Sequence, residues 1–165
     1  MKKFIKYFLF SIAYLIIILF MAAMFIITTA DAEVIKPNNK IDPYEVVKIQ
    51  LNSLMKNDDP YKDNGIKQTW EFAHPNNQKY TGPLPRFKVM LKGESYKMLL
   101  NHLDHKIVII KETIDVADYQ VTVLDVEKKY YKFNWRVEKY VFDGDLKDCW
   151  LTTMVSQPIL LGSSI

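Results

Sequence analysis

The stretch from Asp58 to Glu71, DDPYKDNGIKQTWE, gathers three aspartates, an Asn-Gly pair and a trailing glutamate. These are the donor types that hold a hard cation such as calcium through oxygen ligands. The loop template D-x-[DN]-x-[DN]-G-x5-E tests that chemistry position by position. Gly65 in the sixth place and Glu71 in the twelfth set Asn64 correctly in the fifth, but they put Pro60 in the first and Lys62 in the third. A proline has no side-chain oxygen, and a lysine brings positive charge to a dication. Starting at Asp59 instead puts Tyr61 third and Asn64 where the sharp-turn glycine belongs. No metal is therefore expected, and the segment reads as a turn whose Asp and Asn side chains cap helix ends.

Two further spacings invite chemistry. His102-Leu103-Asp104-His105 has the spacing of a metal pair. A strand at this point would aim residues three apart at opposite faces, and no third ligand stands at a recognisable distance. Ser53-Leu54-Met55-Lys56 matches the S-x-x-K of penicillin-recognising enzymes, yet the K-T-G and S-D-N companions are absent. Nucleophile elbow, Walker loop, dinucleotide fingerprint and H-E-x-x-H are missing too. What remains are the large aromatics: Trp70, Tyr96, Trp135 and Trp150 stand on elements expected to face one another, where they would line a ligand pocket or simply fill a core.

The elements that position them follow from periodicity. Asp42 caps a first helix, with Pro43 at its first turn and Glu45 completing a capping box. Tyr44, Val47, Leu51, Leu54 and Met55 form its apolar stripe, with Val46 and Ile49 outside it, and the helix is expected to end near Asn57. Ile66 to Ala73 reads as a second helix, His74 to Gly82 as a loop, and Pro83 to Leu91 as a third helix ending at Gly93. The period then falls to two. Tyr96, Met98 and Leu100 alternate with polar neighbours, Ile107 to Ile110 is an aliphatic run, and Tyr119, Val121 and Val123 alternate. Tyr130 to Phe142 is the longest strand expected, with Tyr131, Phe133, Trp135 and Val137 on one face. Asp143-Gly144 turns the chain into a last strand over Cys149 to Ser156. Helices first and strands afterwards predict an α+β fold, three helices packed on a curved antiparallel sheet of four to five strands.

Ahead of this domain, Tyr7 to Ala30 is an uncharged apolar run behind Lys2, Lys3 and Lys6. As a helix it would be about 36 Å long at about 1.5 Å per residue, enough to cross a bilayer core. Residues 1–30 are accordingly expected to be a single-pass transmembrane anchor with a cytoplasmic N-terminus and an extracytoplasmic or lumenal domain. The alternative is a signal peptide cleaved at Ala30-Asp31-Ala32, giving a secreted or periplasmic protein. Residues 31–41 read as a linker, 42–157 as the domain and 158–165 as a tail. The formal charge of +3 belongs to the three leading lysines, and residues 31–165 are balanced, which argues against nucleic acid as a partner. A lone Cys149 admits no internal disulfide.

The series QLNSLMKNDDPYKDNGI (Gln50 to Ile66), WEFAHPNNQKYTGPLPRF (Trp70 to Phe87), SYKMLL (Ser95 to Leu100) and CWLTTMV (Cys149 to Val155) resembles a family of proteins carrying a domain of unknown function. That family is similar to the nuclear-transport-factor-2-like, or cystatin-like, superfamily of cone-shaped folds. The resemblance covers about residues 44–155 and implies helices lying across a strongly curved sheet. It implies no activity, since that superfamily holds isomerases, dehydratases, cyclases, ligand binders and dimerising scaffolds. The resulting expectation is a membrane-tethered, non-enzymatic binding or assembly module without a cofactor, with a homodimer or a small apolar ligand as its partner. The alternative is a small pocket enzyme of isomerase or dehydratase type acting on an apolar ligand.

Overall fold

The computed structural model describes residues 34–163. The expected anchor over residues 1–30 lies outside these, and no helix among the described residues is long and apolar enough to cross a membrane. The fold is α+β, with four helices on an antiparallel sheet of five strands.

Helix α1 spans Pro43–Met55, capped by Asp42, whose side chain accepts the Glu45 amide at 2.7 Å. Its buried stripe is Val46, Val47, Gln50, Leu51 and Leu54, while Tyr44 is 40% exposed. The face is thus rotated from the one expected: Val46 belongs to it, and a glutamine lies in its middle. Helix α2, Asn64–Glu71, starts two residues before the predicted Ile66. The turn before it is held by the side chains read as caps. Asn57 Oδ1 accepts the Ile66 amide at 3.1 Å and Asp58 Oδ1 the Asp63 amide at 2.9 Å.

His74 to Gly82, expected as a loop, contains helix α3, Pro75–Thr81. Its seven residues include a proline, two asparagines and a threonine, all weak helix formers, so the helix depends on anchors from outside itself. The His74 amide donates to Thr152 O at 2.9 Å, Asn77 Nδ2 to the same carbonyl at 3.3 Å, and Gln78 Nε2 to Trp70 O at 3.3 Å. Gly82, with φ +83, ends it in a conformation that suits a residue without a Cβ. Helix α4 follows over Leu84–Lys92, making four helices where three were expected. The strand expected around Tyr96 to Leu100 is instead a 3-10 turn over Lys97–Leu99, which buries the adjacent Met98 and Leu99 together, as alternation cannot.

The sheet runs β1 (Asp104–Glu112), β2 (Val116–Leu124), β3 (Lys129–Lys139) and β4 (Trp150–Val155) in spatial order. Strand β5, Ile159–Ser163, lies within the segment read as a tail and pairs with the first half of β3, while β4 pairs with its second half. Register shifts leave one extra residue on β1 at Ile110, on β4 at Thr153 and on β5 at Leu161, and such bulges bend the strands that carry them. Strand β2 alternates strictly: Ala117, Tyr119, Val121 and Val123 are buried beneath α1 while their neighbours face outward. They meet Phe133, Trp135 and Val137 of β3 in one core with Val47, Leu51 and Ile66 of the helices.

Candidate functional site

Between the helical layer and the sheet lies a cavity of about 280 Å3. Helix α1 contributes Gln50 and Leu54, α4 Phe87, Met90 and Leu91, and β4 the run Thr152 to Val155. Tyr80 stands at the rim, 85% exposed, while Gln50 and Thr152 at the floor are 1% and 2% exposed.

The floor is a closed polar network. Trp135 Nε1 donates to Gln50 Oε1 and to Thr152 Oγ1, both at 3.2 Å. The Thr152 hydroxyl donates to Gln50 Oε1 at 2.6 Å, and Gln50 Nε2 donates to Thr69 O at 3.0 Å. Four elements are joined here without a charge. Buried polar groups are tolerated at this depth because each finds a partner, and an amide left alone would cost about 1–3 kcal/mol.

Of the four aromatics expected to line a pocket, Trp135 and Tyr96 do so. The Tyr96 hydroxyl donates to Val155 O at 3.3 Å, and burial raises its pKa above that of an ordinary phenol. Trp70 stands behind the wall, its ring 5.0 Å from that of Phe87, which does line the cavity. Trp150 lies away from it, with Lys139 Nζ 5.2 Å from its ring. Gln50, Thr152 and Asn77 were not singled out by motif or aromatic content. The readable signal for Gln50 was a polar residue inside an otherwise apolar helical stripe.

All the residues lining the cavity are neutral: aliphatic, aromatic, Thr, Asn, Gln, Ala and Met. General acid–base chemistry needs a proton carrier with a pKa near ambient pH, and the tyrosines are the only ionisable groups on this wall. A second depression, about 350 Å3, is bounded by charged residues that satisfy one another, with Lys97 on Glu94 at 2.7 Å and Lys129 on Glu127 at 2.5 Å. It is larger but presents no unpaired charge toward a ligand from either pair.

The histidines meet, contrary to the expectation of opposite faces. His102 lies before β1, after Asn101 at φ +55, so it does not share the strand's alternation with His105. His102 Nε2 is 2.9 Å from His105 Nδ1, and His102 Nδ1 is 2.7 Å from Leu99 O. That carbonyl can only accept, so His102 carries its proton on Nδ1 and receives His105 Nδ1–H at Nε2. Burial lowers the pKa of both rings, that of His102 to about 4. No group of three metal-ligating side chains occurs among the described residues. Cys149 is buried, and burial pushes its thiol up.

Fold and site together define an α+β domain with a neutral pocket roofed by its helices and floored by its sheet. No family model, curated protein or solved structure matches the chain.

Proposed function

We propose that this chain is a non-enzymatic binding module, held at a membrane by its N-terminal apolar run and built on the cone-shaped nuclear-transport-factor-2-like plan. Its pocket would take a small, largely apolar and uncharged ligand. The observation that carries this reading is the cavity of about 280 Å3 whose lining holds no acid, histidine, lysine or arginine. An ion would enter such a site without compensation, at a cost of several kcal/mol, whereas a neutral molecule exchanges water for apolar wall. The isomerase or dehydratase alternative needs a carboxylate or histidine at the reacting atom, and the wall supplies neither.

The test is to purify the full chain from its own membranes, extract the folded protein with organic solvent, and identify retained neutral molecules by mass spectrometry. Met90→Trp, which fills the cavity from a flexible wall position, is expected to abolish retention while leaving the circular dichroism spectrum unchanged. Equal retention by both forms would show that the ligand is held elsewhere.

A further inference from the structure

The direction of the hydrogen bonds around the pocket is set by groups that have no choice of role. Trp135 Nε1 can only donate, and the Thr69 carbonyl can only accept. Gln50 bridges them, so its Nε2 faces Thr69 O at 3.0 Å and its Oε1 faces Trp135 Nε1 at 3.2 Å. The Thr152 hydroxyl, 2.6 Å from the same Oε1, must therefore spend its hydrogen there. Thr69 Oγ1 donates to Gly65 O at 2.8 Å, Thr81 Oγ1 to Asn77 O at 2.9 Å, and Tyr96 to Val155 O at 3.3 Å. Each of these carbonyls is also an obligate acceptor.

The hydroxyl hydrogens of these four residues are thus directed into the protein, and the donors left on the wall are the Tyr80 hydroxyl at the exposed rim and one amide hydrogen each of Gln50 and Asn77. The amide donors of Gln50 and Asn77 are already partly engaged, with Thr69 O and Thr152 O. Thr152 Oγ1 accepts one hydrogen bond, from Trp135, and keeps one lone pair beside the deepest part of the cavity. A ligand oxygen without hydrogen, placed there, would set lone pair against lone pair.

We infer that the pocket selects a small uncharged molecule that brings its own hydrogen-bond donor, an alcohol or phenol hydroxyl, and sets it on Thr152 Oγ1. This rests on the binding reading above and specifies its ligand. A cationic donor is disfavoured because no carboxylate lines the wall. At about 30 Å3 per water-sized group, a cavity of about 280 Å3 takes about nine such groups. The ligand is therefore of single-ring size.

The experiment titrates the full chain in nanodiscs by calorimetry, against empty nanodiscs, with three probes of nearly equal size: 1-phenyl-1-propanol, propiophenone and propylbenzene. The alcohol is expected to bind at least about tenfold more tightly than the ketone, the effect of one hydrogen bond worth about 1.4 kcal/mol. Thr152→Val is expected to remove that preference and Thr152→Ser to keep it. The probe series on the unaltered chain decides the matter even if a variant fails to fold. Equal binding of alcohol and ketone, or tighter binding of the ketone, overturns the donor requirement and leaves the binding reading standing. No heat from any of the three at millimolar concentration overturns the pocket-binding reading, and this inference with it.

Discussion

At the scale of single residues, two buried groups carry clear energetic signatures. The Tyr119 hydroxyl is buried with no hydrogen-bond partner among the described residues, and burial drives its phenol well above the ordinary range. An unpaired buried hydroxyl costs about 1–3 kcal/mol, while the ring itself packs edge-on against Tyr44 at 6.2 Å. Tyr119→Phe is accordingly expected to stabilise the domain by about 1 kcal/mol in urea unfolding followed by tryptophan fluorescence; a loss of that size would reveal a partner for the hydroxyl. The second group is His102, 2% exposed, whose pKa falls to about 4 in the folded state from 6.5. The folded state then binds fewer protons than the unfolded one, so this contribution is full above pH 6.5 and is lost as pH falls toward 4. The loss should amount to about 3 kcal/mol, read as a drop in urea midpoint between pH 7.5 and pH 4, and His102→Gln should flatten most of it. Asp63 acts in a lower window. Burial raises its pKa, but the ion pairs with Lys92 and Lys88 outweigh this and hold it below 3.8, so its contribution disappears only below that pH.

At the scale of elements, the junction between α1 and α2 controls how the roof sits. A Cβ on Gly65 would lie 2.1 Å from Ser53 O and 2.9 Å from Asn57 Cα, both backbone atoms that cannot swing aside. Gly65→Ala is expected to cost at least about 2 kcal/mol, because α2 must move off α1. Moving α2 also moves Thr69, so ligand retention should fall with stability; an alanine variant of unchanged stability would show that the two helices are not in close contact. The chemistry of DDPYKDNGIKQTWE is legible at this scale. Asp58 and Asn64 act as turn formers, as their types suggested, by bonding the Asp63 amide and Asp59 O, but Asp63 at the N-cap makes no side-chain cap bond and pairs instead with Lys92, its Oδ1 2.7 Å from Lys92 Nζ. Helix α3 was not legible, since Pro-Asn-Asn-Gln composition carries a loop signal and its anchors lie outside it, on Trp70 O of the preceding helix and on Thr152 O, 75 positions from Asn77.

At the scale of the whole molecule, the proposed address and the proposed assembly are both testable. The anchor reading expects the full chain to stay in the carbonate-washed membrane fraction and to be released by detergent alone; a mature N-terminus at Glu33 would instead establish cleavage. For assembly, the sheet leaves β1 as an edge, with Val108, Ile109 and Ile110 exposed at 38%, 51% and 62%. An apolar edge strand is a template for pairing with another strand. We propose a second copy as the partner in solution, expecting native mass spectrometry to record a dimer and Ile110→Lys to return it to a monomer.

The sequence by itself determined the class of fold, because hydrophobic periodicity of about 3.6 and then 2 is a local property that neighbours impose on one another. It determined the strict inward face of β2 and the inward run Phe133, Trp135 and Val137 for the same reason. Only the tertiary structure decided which polar side chains converge. Gln50, Thr69, Trp135 and Thr152 come from four elements, separated by as many as 102 positions, and no spacing rule relates them. The pairing of His102 with His105 was hidden because His102 stands before β1, outside the alternation that His105 shares. Which aromatics face the cavity and which stand behind its wall was settled by the packing of helices on the sheet, which pattern along one chain does not encode.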